Sequence, residues 1–97
     1  MNVVTHRALR EFWVQHPPAK APLTQWYDVA KHAHWRSPQD IRNDFNTVDF
    51  VSDNRVVFDI GGNKYRIVAR ISYTYKAVLV KFVGTHKEYS KIDPSTV

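Results

Sequence analysis

The chain has 97 residues, of which 43% are hydrophobic and 13% aromatic, so it carries enough apolar surface for one folded core. It contains no cysteine, which excludes a disulfide framework, a thiolate nucleophile and a cysteine-ligated zinc site. No apolar run approaches the roughly 20 residues that span a bilayer, and the first ten residues lack the apolar stretch of a signal peptide. We therefore expect a single domain over residues 1–97, cytoplasmic and without a membrane partner.

Basic residues are concentrated in one segment of the chain. Overall there are 14 Lys and Arg against nine Asp and Glu, a net charge of +5 and a pI near 9.7. Residues 64–91 hold seven of these bases and one acid, Glu88. The seven are Lys64, Arg66, Arg70, Lys76, Lys81, Lys87 and Lys91. A segment this basic favours contact with nucleic-acid phosphates, and a solvated sheet face kept soluble by its charge is the alternative.

The first half of the sequence has the periodicity of helices. Residues 2–4 suit a short opening strand, and Thr5 suits the cap of a helix that Pro17–Pro18 ends. The apolar face of that helix has the i, i+3, i+4, i+7 spacing of Leu9, Phe12, Trp13 and His16. The same spacing predicts a second helix over about 19–33, and Ser37 followed by proline predicts the start of a third, short helix.

After residue 46 the hydrophobic period changes to two, which indicates strands. Residues 56–60 alternate, and the glycine-rich turn 61–63 joins them to a strand over 64–73. Residues 77–83 are apolar on nearly both faces, which predicts an interior strand that Gly84 ends before a polar tail. Helices followed by an antiparallel meander predict an α+β fold, with the N-terminal helices packed on one face of a twisted, mainly antiparallel sheet.

Alternation along the 64–73 strand places three bases on the sheet face away from the helices. The apolar side chains, every second residue from Tyr65 onward, point to one face of the strand. Lys64, Arg66 and Arg70 point to the other face. Alternate positions lie about 6.6 Å apart, close to the spacing of nucleotide phosphates. We therefore expect an open cationic face that holds an RNA backbone; an ordinary wet strand face is the alternative.

The five histidines do not predict a metal site, and we expect neither a metal nor a cofactor. His32 and His34 are two residues apart and point to different sides of a helix. His86 differs from them because it follows the last apolar strand, where side chains face a cleft. Histidine exchanges protons near neutral pH and is suited to act as a general acid or base. A solvated histidine in a loop is the alternative interpretation.

Together, the cationic face and His86 suit one reaction. RNA is cut without a metal when its 2′-hydroxyl attacks the adjacent phosphate, which needs a base, an acid and cations on the phosphorane oxygens. The residues alone leave two other possibilities open: an RNA- or ribosome-binding protein that blocks without cutting, and a module whose basic face binds an acidic protein segment.

Four segments of the sequence resemble HigB toxins, members of the RelE-like superfamily of type II toxin–antitoxin systems. They are Leu9–Trp13, Trp26–Tyr27, Val57–Arg66 and Phe82–Tyr89. The resemblance covers essentially the whole chain and implies a RelE-like α+β fold and an mRNA endonuclease that cuts codons in the ribosomal A site. It also implies a HigA-like helix-turn-helix antitoxin, through which alone the toxin would meet operator DNA.

The resemblance assigns catalytic roles to individual residues. Arg66 corresponds to a strand arginine at the scissile phosphate, with Lys64 and Arg70 as supporting cations. His86 corresponds to a histidine that serves as acid or base. Tyr89 either stacks on an RNA base or covers the core, and the division of roles stays open because RelE itself relies on arginine, lysine and a late tyrosine.

Two further bases of the basic segment are assigned to RNA binding alone. Lys81 lies on the last predicted strand, and Lys87 directly follows the histidine. We expect both to add to the positive field that attracts the RNA backbone.

Overall fold

The computed structural model describes all residues 1–97 and places five strands in one sheet. The strands are β1 Asn2–Val4, β2 Val48–Val51, β3 Arg55–Ile60, β4 Tyr65–Ser72 and β5 Ala77–Thr85. The helices are α1 His6–Gln15, α2 Lys20–His32, α3 Pro38–Asp44 and α4 His86–Tyr89, with a 3-10 turn at Pro17–Ala19. None of the helices combines the length and the apolar composition that a membrane span requires.

The sheet has the strand order β1-β5-β4-β3-β2. Strands β2 to β5 form an antiparallel meander, and β1 pairs in parallel with the first residues of β5. The predicted α+β class and mainly antiparallel sheet are confirmed. β5 lies between β1 and β4, so its predicted interior position is confirmed as well.

The main core lies between the sheet and helices α1 to α3. Leu9, Leu23 and Ile41 contribute one fully buried side chain from each helix, and Trp26 packs edge-to-face on Phe58 of β3. The inward side chains of β4 are the alternating set Tyr65, Ile67, Ala69 and Ile71. The prediction that the N-terminal helices pack on one face of the sheet is confirmed.

The sequence did not single out β2 as a separate strand, because only Val48 and Phe50 of its four residues face the core and so short an alternation is hard to distinguish from a loop. One local prediction is wrong. Gly84 does not end β5; it pairs with Arg66 inside the strand. A Cβ at Gly84 would lie 2.5 Å from the Phe82 ring, so glycine is required there for close packing and not for a chain break.

The second face of the sheet is not the open cationic surface that alternation predicts. Val57 and Val68 pair across β3 and β4 on this face and are almost completely buried. The segment 86–97 leaves β5 at one end of the sheet and reaches Arg55 at the other, where the arginine Nη2 donates to the Val97 oxygen at 2.8 Å. The C-terminal segment therefore crosses this face and separates the bases at its two ends.

Candidate functional site

Arg66 and Asp59 are directly paired across β4 and β3. The arginine Nε lies 2.9 Å from the Asp59 Oδ1, and the two side chains retain 9% and 29% of their exposure. A guanidinium this far buried needs a carboxylate partner, because an unpaired buried charge is strongly destabilising. The strand register that brings the two residues together is therefore also what allows Arg66 to lie inside the fold.

The rest of the guanidinium binds the β3–β4 turn. Its Nη1 donates to the Asn63 and Tyr65 carbonyl oxygens at 3.2 and 3.1 Å, and its Nη2 donates to the Asn63 Oδ1 at 2.9 Å. The predicted turn is confirmed, with positive φ at Gly61 and Gly62. Of the five donors of the guanidinium, one Nη2 hydrogen is left for a ligand.

Tyr89 of α4 covers Arg66. The Arg66 Cζ lies 5.7 Å from the centre of the Tyr89 ring, within the range of a cation–π interaction. Partial burial raises the pKa of the Tyr89 hydroxyl above its ordinary 10.0, and the charge of Asp49 acts in the same direction; the charge of Arg66 opposes them, and that of Asp59 adds a smaller upward effect. The phenol is therefore protonated at neutral pH and is suited to donate a proton or a hydrogen bond.

The single turn of α4 is held by a capping box at the end of β5. The Thr85 Oγ1 accepts from the Glu88 backbone N–H at 3.1 Å, and the Glu88 Oε1 accepts from the Thr85 backbone N–H at 2.8 Å. Both donors would otherwise be unsatisfied at a helix N-terminus. The capping box thus fixes the backbone positions of His86 and Tyr89 relative to the end of β5.

Lys64 and His86 lie beside each other at the same end of the sheet. The His86 backbone N–H donates to the Lys64 carbonyl oxygen at 2.9 Å. Both side chains are exposed, and neither forms an ion pair in the structure. Together with Arg66 and Tyr89 they form what we call the site cluster: Lys64, Arg66, His86 and Tyr89.

The other three bases assigned from the sequence lie outside the site cluster. Arg70 is four residues further along β4, about 13 Å by strand rise, and its Nη2 lies 3.2 Å from the Asp53 Oδ1. Lys81 is the extra residue of a β-bulge, because Val80 and Phe82 pair with successive residues of β4. Lys87 is exposed on α4. The seven bases of the basic segment do not form one surface.

Three residues around the site cluster were not predicted from the sequence. Asp59 and Asn63 both bind the Arg66 guanidinium. Asp59 is placed there by the pairing of β3 with β4 and Asn63 by the turn between them, and both contacts are known only from the structure. Glu88 was detectable, because a threonine three residues before a glutamate is the pattern of a capping box. The structure contains no group of three or more His, Asp or Glu side chains that could hold a metal ion.

Comparison with known proteins identifies the family of this chain. Residues 19–92 match the HigB toxin family, described as the RelE-like toxic component of a toxin-antitoxin system. The mRNA interferase HigB of Escherichia coli O6:H1 (strain CFT073) is 30% identical over 94 residues, which are 95% of this chain and 91% of the relative. The mRNA interferase toxin HigB of Escherichia coli K12 is 28% identical over 91 residues, which are 92% and 88% of the two chains. This chain therefore belongs to the HigB family, the RelE-like toxic components of toxin–antitoxin systems.

Proposed function

We propose that this toxin is an endoribonuclease that cuts translated mRNA at the ribosome without a metal ion. The observation that carries the proposal is the site cluster, which gathers an imidazole, a phenol, an ammonium and a guanidinium at one end of the sheet. These groups are the ones that cleavage by a neighbouring 2′-hydroxyl requires. The names of the relatives, mRNA interferases, point to the same substrate.

In this reaction the ribose 2′-oxygen attacks the adjacent phosphorus while the bond from phosphorus to the 5′-oxygen breaks. The products are a 2′,3′-cyclic phosphate and a 5′-hydroxyl. One group takes the 2′-hydroxyl proton and another protonates the leaving oxygen. His86 is exposed and suited to the first role, and the protonated Tyr89 phenol is suited to the second or to stacking on a base.

The cations have unequal access to the phosphate. Lys64 is exposed and free of ion pairs, so its ammonium binds a non-bridging oxygen directly. Arg66 offers one free donor unless the substrate displaces Asn63 or Asp59. We therefore assign Lys64 to substrate capture and Arg66 both to stabilising the developing charge and to holding the hairpin.

The antitoxin partner that the family implies would act on the same end of the molecule. A HigA-like helix-turn-helix antitoxin silences the toxin either by covering the site cluster or by preventing the domain from docking on the ribosome. Acidic or apolar antitoxin segments suit the first route because the exposed Lys64 is cationic.

Single-turnover cleavage on programmed ribosomes, with mapped mRNA 5′ ends, tests the nuclease assignment. We expect His86→Gln to lower the cleavage rate by about 10²–10⁴, because glutamine keeps the polarity but cannot exchange protons. The matched control is His32→Gln, since His32 is exposed on α2 with its Nδ1 2.9 Å from the Asp28 carbonyl oxygen. Stalled ribosomes on intact message would instead identify a blocker.

Arg66→Ala tests the cationic part of the site cluster. We expect a loss of about 10²–10³ in rate, the usual effect of removing one donor to a developing oxyanion. RNA affinity, measured separately, should fall more for Arg66→Ala than for His86→Gln. If folded Arg66→Ala and folded His86→Gln both cut at the parental rate, the site cluster is not the active site.

A further inference from the structure

A cavity separate from the site cluster, which we call the second cavity because the site cluster is the first candidate site, lies on the helix-packed face at the opposite end of the sheet. It has a volume of about 560 Å³ and is bounded by β1, the last turn of α2, the loop 33–37 and the β4–β5 turn. The site cluster adjoins the pair Tyr65–Thr85, whereas this cavity adjoins the pair Ser72–Ala77 at the other end of the same two strands. No residue of the site cluster lines it.

The cavity is lined by unpaired cations. Lys31, Arg36 and Lys76 are exposed at its rim, no Asp or Glu is among its lining residues, and none of the three is in an ion pair. The pKa of the Met1 amine is lowered, first by partial burial and then by the charge of Lys76. Like charges gathered around a partly enclosed space repel one another, and an anion bound there would relieve that repulsion.

Aromatic rings line the same cavity. Tyr27 and Tyr73 are both half-buried, and the Lys31 Nζ lies 5.8 Å from the centre of the Tyr27 ring. The pKa of Tyr73 is raised, first by partial burial and then by the charge of Asp40. That carboxylate accepts from the Arg36 backbone N–H at 2.9 Å and does not line the cavity. Cations beside partly exposed rings match a phosphate joined to a planar base.

We propose that this cavity binds a nucleotide unit, either within single-stranded RNA or as a free mononucleotide. The phosphate contacts Lys31, Arg36 and Lys76, and the base lies against Tyr27 or Tyr73. The volume is within the range of about 300–1,000 Å³ that is usual for small-ligand pockets. The proposal does not depend on catalysis, because the cavity shares no residue with the site cluster.

Binding of a short single-stranded RNA with 2′-O-methyl groups tests the proposal. Such an RNA has no free 2′-hydroxyl that could attack the phosphate, so it cannot be cut by this reaction. Its affinity can therefore be measured whether or not the toxin is a nuclease. We expect the double variant Lys31→Gln/Arg36→Gln to bind at least about tenfold more weakly, and the slope of log affinity against log salt to fall by about 0.7 per lost contact. The matched control is Lys20→Gln/Arg10→Gln, which removes the same charges from exposed positions outside the cavity and should stay within twofold of the parent.

The ring resonances of Tyr27 and Tyr73, followed by NMR, locate the ligand and identify its source. Shifts with adenosine monophosphate indicate a mononucleotide site, and shifts with the RNA alone indicate a site that recognises an RNA segment; either supports the proposal. It is wrong if neither probe moves these resonances at low salt, or if the double variant binds both the RNA and adenosine monophosphate as the control does. It is also wrong if an acidic peptide alone moves them.

Discussion

Arg66 stabilises the hairpin that carries it, since its guanidinium bonds both the facing strand and the turn. Removing the Asp59 carboxylate leaves the Arg66 guanidinium with only neutral hydrogen-bond acceptors, on a residue that is 7% exposed as a whole. We expect Asp59→Ala to lower the free energy of unfolding by about 2–3 kcal/mol, as for a lost hydrogen bond to a charged group. Asp49→Ala, on an exposed side chain without an ion pair, should change it by less than about 0.5 kcal/mol. Urea denaturation compares the two, and equal losses would mean that the ion pair contributes no stability.

At Gly84 the absence of a Cβ atom allows the local packing of β5. A Cβ there would lie 2.5 Å from the Phe82 Cζ and 3.3 Å from the Glu88 Cβ. We expect Gly84→Ala to lower the free energy of unfolding by about 1–3 kcal/mol through overpacking. In a Phe82→Leu background the same substitution should cost less, because the clashing ring atoms are absent. A double-mutant cycle measures this, and additive losses would show that the Phe82 ring is not the obstacle.

At the scale of elements, α4 is the helix that depends most on contacts with the rest of the fold for its stability. It has four residues, none of them buried, and a helix of one turn has no stability of its own. It is held instead by the Thr85–Glu88 capping box and by the contact of Tyr89 with Arg66. The position of the two proton-transfer candidates therefore depends on how well this one turn is capped.

The capping box makes α4 sensitive to acid. The pKa of Glu88 is lowered from its ordinary 4.5, first by the Thr85 backbone N–H, and burial opposes this less strongly. A lowered folded-state pKa means that the stabilisation is complete above the unfolded pKa and is lost as pH falls through the folded value. We expect the Thr85 amide resonance to titrate with a midpoint below 4.5 and to be insensitive to pH in Glu88→Gln. A midpoint at or above 4.5 would contradict the assignment.

At the scale of the whole molecule, the charges of the two sheet faces are balanced differently. On the face crossed by the C-terminal segment, Arg55, Arg66 and Arg70 are paired with Asp53 or Asp59. On the helix-packed face, the bases around the second cavity have no such partners. Positive charge without an ion-pair partner is therefore available to ligands at the exposed Lys64 end and around that cavity, besides single exposed bases elsewhere such as Lys20 and Lys81.

The C-terminal segment is attached at its far end by Arg55. The arginine Nε and Nη2 donate to the Val97 oxygen at 3.2 and 2.8 Å, and its side chain is 12% exposed. We expect Arg55→Leu to speed hydrogen exchange of the Thr96 and Val97 amides at least about tenfold while the α2 amides stay protected. Arg70→Leu is the control, because it also removes an ion pair with Asp53, but the Arg70 side chain is 45% exposed and does not hydrogen-bond Val97. Equal protection in both variants would show that Arg55 does not hold the segment.

The sequence alone determined the features that depend on local periodicity and composition. The spacing of Leu9, Phe12 and Trp13 predicts α1, and alternation from Tyr65 onward predicts β4, because side-chain direction follows the backbone period. The Gly61–Gly62 turn is local too, since it depends on residues that accept positive φ. Local signals of this kind were enough to predict the fold class, and the resemblance of the quoted segments to HigB toxins was enough to predict the family.

Only the tertiary structure decided which residues share an environment. That Arg66 is buried against Asp59 follows from strand register, and the covering of Val57 and Val68 follows from the path of the segment 86–97. The cavity at Lys31, Arg36 and Lys76 joins a helix, a loop and a hairpin turn far apart in the chain. Burial and charge pairing depend on such non-local contacts, and periodicity along the chain carries no record of them.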